Sequence, residues 1–187
     1  MKKLSLLNKI KPASAWAWSL LITVILYGCI TEPKFPKEPR IFFESIRKNN
    51  VPQIGVDSVI ITIRFEDGDG DLGLTEPQQA NEDPWKDGKV FNYEVETLVK
   101  RGNTWQDYTD RQGLKVNLSG NFTPLVEPTS KPSPIEGTLD RSIVVFKNLR
   151  NPSIPNDTLK FNILIRDRAL HESNRVETGP IVVYGNK

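Results

Sequence analysis

Apolar and polar residues alternate along most of the chain beyond residue 40. In DSVIITIRF (57–65) the residues Val59, Ile61, Ile63 and Phe65 share one parity, and in KVFNYEVETLVK (89–100) Phe91, Tyr93, Val95, Thr97 and Val99 do the same. A period of two places each set on one face of a β-strand. RGNT (101–104) separates the second run from WQDYT (105–109) and predicts a hairpin turn with Gly102 and Asn103 at its tip. RSIVVFKNL (141–149), TLKFNILIR (158–166) and GPIVVYG (179–185) are further β-branched and aromatic runs bounded by Pro, Asn and Asp. No segment offers three turns of helical period with caps. The pattern therefore predicts an all-β fold, an antiparallel sandwich of about seven or eight short strands over residues 40–187. One piece breaks the alternation: SGNFTPLVEPTSKPSPIEG (119–137) holds Pro124, Pro128, Pro132 and Pro134. Proline this dense cannot supply ladder donors, so the segment is expected as a long surface crossover or an edge-hugging extended stretch.

The N-terminus follows a different pattern. Lys2, Lys3, Lys9 and Lys11 precede a charge-free apolar run from Ala13 to Tyr27, the layout of a secretory signal. The run closes on Leu26, Tyr27, Gly28 and Cys29, and Cys29 is the chain's one cysteine. L-x-G-C at the end of a short apolar segment resembles the lipobox of bacterial lipoproteins, although Tyr27 stands where a small or aliphatic residue is commoner. The resemblance implies removal of residues 1–28, acylation of Cys29, and a lipid-anchored protein of the bacterial cell envelope whose membrane partner is reached through that cysteine. Residues 29–39, with Pro33, Pro36 and Pro39, then read as an extended tether. Processing also changes the charge. The full chain carries 25 Lys+Arg against 23 Asp+Glu, and losing the four leader lysines leaves 21 against 23. A basic nucleic-acid footprint is absent, so no nucleic-acid partner is expected.

A second resemblance lies near the C-terminus. In FNILIRDRALHESNRVETGPIVVYG (161–185) an apolar strand ends in D-x-A-x-x-x-S-N and a T-x-P-I-V strand returns. That arrangement resembles the last two strands of immunoglobulin-like or fibronectin-III-like bacterial domains. Together with FEDGDGDLG (65–73) it also resembles a group of small bacterial surface lipoproteins. It implies an immunoglobulin-like sandwich and a cell-surface setting, and it carries no activity.

Few chemistries survive this composition. His171 is the single histidine, in a polar loop where a solvated role is expected, and Cys29 is taken by lipid, so neither a Cys–His pair nor a repeated-His metal site can form. A hydrolase working with carboxylates alone needs only two acids about 5 to 10 Å apart. Trp85, Trp105 and Tyr108 fall in or beside loops and are expected to cover the edge of the sandwich, the alternative being a platform for stacking sugars. A carboxylate-only hydrolase or carbohydrate-binding module acting on surface glycans is therefore the alternative to a binding or structural module that meets an envelope protein or glycan.

The strongest chemical signal is EDGDGDLG (66–73). Asp67, Asp69 and Asp71 repel one another, and a hard cation such as Ca²⁺ holds such oxygens together. The spacing is not that of an EF-hand, because Leu72 and Gln78 occupy the positions where that loop needs Gly and Glu. Parity sharpens the expectation. If Val59, Ile61, Ile63 and Phe65 face the core, Asp67 continues their line inward; Phe161, Ile163 and Ile165 likewise lead to Asp167. As the second and sixth strands of an immunoglobulin-like sandwich, the two end at one pole on opposite sheets. Asp67, Asp69, Asp71 and Asp167 are thus the expected ligands of a calcium ion.

Overall fold

The computed structural model describes residues 33–51, 56–128, 131–146 and 156–184; the signal segment and Cys29 lie outside the described residues. Eight strands and one short helix follow in chain order: β1 Arg40–Val51, β2 Val56–Asp67, α1 Glu76–Asn81, β3 Tyr93–Arg101, β4 Thr104–Asp107, β5 Ile135–Phe146, β6 Asp157–Ile165, β7 Val176–Glu177 and β8 Ile181–Val183. One sheet has the order β1-β2-β5, and the other β4-β3-β6 with β7 and β8 along the outer side of β6. Every pairing is antiparallel. This is the all-β antiparallel sandwich expected from the alternation, in the three-plus-four arrangement of the immunoglobulin-like form that the C-terminal resemblance implied, with the last strand split in two.

Burial follows the parity of the sequence. Val59, Ile61, Ile63 and Phe65 on β2, and Tyr93, Val95, Thr97 and Val99 on β3, are all buried. Leu159, Phe161, Ile163 and Ile165 from β6 meet them in one core cluster, apart from Thr97, which is polar. Trp85 and Tyr108 are buried as well, so neither is a sugar platform, and Lys160 stacks over the Trp105 ring at 4.8 Å. The β3–β4 turn is the expected two-residue hairpin, Arg101 pairing with Thr104. Gly102 takes φ of +57°, which a type II′ turn demands at its first central position.

The C-terminal edge is divided. The strand within GPIVVYG is β8, and Thr178, Gly179 and Pro180 separate it from β7. Thr178 pairs with Phe161 there through both groups, its hydroxyl accepting from the Phe161 amide (3.0 Å) and its own amide donating to the Phe161 carbonyl (2.9 Å). The helix α1 is too short to show a helical period. Its start is marked instead by a capping box, in which the Thr75 hydroxyl accepts from the Gln78 amide and the Gln78 side chain accepts from the Thr75 amide. The folded unit also begins earlier than residue 40: it starts at Lys34, so residues 34–39 of the expected tether belong to it.

The proline-rich crossover is held without a strand ladder. The buried Asn92 side chain donates to the Phe122 carbonyl and accepts from the Phe122 amide, both at 2.9 Å, and so pairs with the crossover as a strand neighbour would. Asn174 does the same for β1, bonding both the amide and the carbonyl of Ile41 at 2.9 Å.

Candidate metal centre

The inward faces of β2 and β6 begin and end in aspartate. Asp57 and Asp67 bound β2; Asp157 opens β6, and Asp167 follows two residues after its end. All four are buried, at 2% exposure or less. The two poles are nevertheless treated differently. At one, Lys48 lies 3.4 Å from Asp57 and Arg101 lies 2.9 Å from Asp157, and the Tyr184 amide donates to Asp57. These charges are neutralised in the ordinary way.

At the other pole the carboxylates meet one another. A bridge between Leu72 and Asp167 joins the loop after β2 to the end of β6 across the two sheets. Oxygen atoms of Asp67, Asp69, Asp71 and Asp167 all lie within 4.8 Å of one another, and this group can hold a metal ion. The strand direction on which the sequence argument depended is therefore the one found, and all four expected ligands converge.

The loop is shaped by its apolar and glycine positions. Leu72 and Leu74 are fully buried, so the chain turns back into the core directly after the third aspartate. The Leu74 amide donates to Phe122 (3.0 Å), and Leu72 accepts from the Leu125 amide (3.2 Å), fastening the loop to the crossover. Gly70 and Gly73 adopt φ of +70° and +92°, and a Cβ on Gly70 would stand 2.6 Å from the Ser133 carbonyl. Gly68 lies against the carbonyls of Phe35 and Pro36, leaving no room for a side chain. The glycines therefore serve close backbone approach as well as curvature.

Hydrogen bonds satisfy part of the cluster. One oxygen of Asp67 accepts from the Asp71 amide at 3.1 Å, and the Gly70 amide also points to this carboxylate. The Ala169 amide supports Asp71. Asp167 accepts from the His171 amide (2.8 Å), and its other oxygen lies 2.7 Å from His171 Nδ1. The expectation of a merely solvated histidine is thus corrected: His171 keeps its ring partly exposed but is fixed to the innermost carboxylate. The signal for this was its spacing of four residues from Asp167 in a tight loop.

What remains is a set of oxygens without donors. Oδ1 of Asp67, of Asp69 and of Asp71 are each buried and without a hydrogen-bond partner. Asp67 is itself 0% exposed. Burial and the charges of Asp71 and Asp69 push its pKa up to about 7. Burial, then the charges of Asp167 and Asp69, raises Asp71 to about 6 although Arg168 pulls the other way. Asp167 is also raised, by burial first, against the opposing pull of His171. The pole holds more negative charge than its own groups satisfy.

Comparison with known proteins adds no identity. No family model and no curated protein matches the chain. Among solved structures, a Bordetella pertussis protein provisionally designated ApaA is similar over 80% of this chain and 95% of its own, at 10% identity and a TM-score of 0.28. A structural-genomics target solved by X-ray crystallography is similar over 79% of this chain and 85% of its own, at 12% identity and a TM-score of 0.26. Overlap at that level carries nothing about function to this chain.

Proposed function

We propose that the protein is a lipid-anchored module of the bacterial cell envelope, a β-sandwich that binds one Ca²⁺ at the pole where β2 and β6 end and presents that pole to a partner. The observation that carries the metal reading is Asp67, wholly buried, with one oxygen unpartnered and aimed into three other carboxylates. An uncompensated buried carboxylate costs several kcal/mol, and a divalent cation removes that cost directly. The spacing favours calcium over magnesium. Oxygens on one Ca²⁺ at about 2.3–2.6 Å can stand about 5 Å apart, whereas Mg²⁺ at about 2.1 Å limits them to roughly 4.2 Å. Oxygens within 4.8 Å of one another suit the larger ion without rearrangement.

The same geometry argues against a glycan hydrolase at this place. Asp67 and Asp167 are closed to solvent, so a sugar cannot reach the two innermost acids. Anchoring rests on separate ground, the Leu26–Cys29 lipobox and the prolines that follow it.

Thermal unfolding tests the metal reading. The chain from residue 29 onward melts at a higher temperature in millimolar calcium than in chelator, and Asp69→Ala and Asp167→Ala each abolish the difference. Coincident melting curves in the two conditions would reject the ion. A rise lost in Asp69→Ala but kept in Asp167→Ala would restrict the site to the loop after β2.

A further inference from the structure

We infer that the calcium pole is the membrane-facing end of the domain, and that the bound ion, a ring of basic side chains and Leu170 together engage the headgroups of anionic phospholipid. This rests on the calcium reading and adds its ligand. Four independent features meet at that pole.

The first is where the anchor enters. Phe35 and Pro36 lie against Gly68, between two of the ligand aspartates, so the tether reaches the domain at the ion loop and not at the far end. Only six residues lie between Cys29 and Pro36. A chain of that length spans at most about 25 Å, which keeps an acylated Cys29 and the ion loop close together.

The second is an open cavity of about 200 Å³ beside the ligands, lined by Asp69, Asp71, Lys131, Ser133 and Arg168 among others. Its size admits a phosphate group. Two ligand residues form its wall, so a phosphate oxygen there can complete the calcium shell while Lys131 and Arg168 approach its remaining oxygens.

The third is charge. Lys131, Arg168 and Glu127 line the site, Lys34, Lys37 and Glu38 flank Phe35 and Pro36 along the chain, and Arg40 and Glu136 stand opposite Glu66 on either side of β2; Glu66 and Glu172 are paired with Arg64 and Arg166. Five cations against seven acids, the four aspartates with Glu38, Glu127 and Glu136, leave the pole net negative without the ion and neutral with it. Calcium therefore removes the negative charge that would repel an anionic surface.

The fourth is Leu170. It stands at the tip of the loop after Asp167, 45% exposed, and holds a φ of +70° that leucine rarely adopts. A polar residue such as asparagine would suit both the solvent and the backbone better. An exposed leucine at a loop tip beside basic side chains fits insertion at the headgroup boundary.

Vesicle co-sedimentation tests the inference, with the chain from residue 29 carrying Cys29→Ser so that no acyl chain contributes. Vesicles of phosphatidylcholine mixed equally with phosphatidylglycerol capture this protein in calcium and release it in EDTA, while phosphatidylcholine alone captures little. Leu170→Asn, which relieves the backbone, and the double variant Lys131→Gln/Arg168→Gln each weaken capture by about tenfold. Both leave calcium affinity by calorimetry near the parent value. Lys100→Gln, the loss of one cation at the opposite pole, leaves capture unchanged. Calcium heat without capture by mixed vesicles would overturn the inference and spare the metal site, as would capture that Lys100→Gln weakens as much as the polar-end variants do. Absence of calcium heat removes the metal site and the inference with it.

Discussion

Asp67 shows how one side chain sets the behaviour of a loop. Its carboxylate lies at the end of a line of core residues, where charge is costly, and the neighbouring Asp69 and Asp71 add to that cost. Its folded pKa, raised to about 7, stands above the ordinary value of 3.8. Between those values the calcium-free folded protein holds more protons than the unfolded chain, so its stability falls as pH rises through that window. Asp71, raised to about 6, acts in the same direction. Urea unfolding in chelator should therefore give lower midpoints at pH 7.5 than at pH 5, and saturating calcium should flatten or reverse the slope, because the ion binds the deprotonated form. The same reasoning gives an unusual mutational result. Asp67→Asn removes the buried charge, so in chelator it should raise stability, by about 1 to 3 kcal/mol, while abolishing the response to calcium. A variant less stable than the parent in chelator would mean that this carboxylate is paired in the folded protein.

At the scale of elements, the D-x-A-x-x-x-S-N stretch shows what the sequence disclosed and what it withheld. Strand parity alone brought Asp67 and Asp167 inward, since an inward line continues past a strand end for as long as the backbone stays extended. Contacts made between distant parts of the chain carried no periodic signal. Ser173 accepts from the Ile165 amide at 3.0 Å, closing the loop, and Asn174 grips Ile41 on the other sheet. Nothing in the local pattern points to β1 as its partner. His171 was hidden for a similar reason, as its bond to Asp167 depends on the tightness of the loop. The short α1 helix had a cap signature and no period. Asn174→Ala should cost about 2 to 3 kcal/mol, since two backbone groups of Ile41 lose their partner at once. Hydrogen exchange at the Ile41 amide should accelerate well beyond what the global loss of stability explains. Uniform acceleration across the core would show that the clamp has no local role.

For the molecule as a whole, the proposed function would divide the work of membrane attachment between an acylated Cys29 and the ion pole. Acyl chains contribute about 0.8 kcal/mol per buried methylene, so more than one chain on Cys29 would retain the protein regardless of calcium. The pole would then need only modest affinity, because a short tether would hold it at high effective concentration near the surface. Two variables should therefore separate in cells. In chelator, Cys29→Ser should move from the membrane pellet to the soluble fraction, while the parent stays in the pellet; mass spectrometry should find the parent's mature N-terminus at an acylated Cys29. A peptide beginning before Cys29, or a free thiol, would reject the lipobox. For the parent in isolated membranes, calcium should change the posture of the domain and not its retention. Trypsin should cut after Lys34, Lys37 and Arg168 slowly in calcium and quickly in chelator, because the docked pole shields all three. Cleavage after Lys100, at the far end, should proceed at the same rate in both. Equal protection at both ends would assign the calcium effect to general stiffening of the fold, whereas protection confined to the ion pole requires a surface pressed against it.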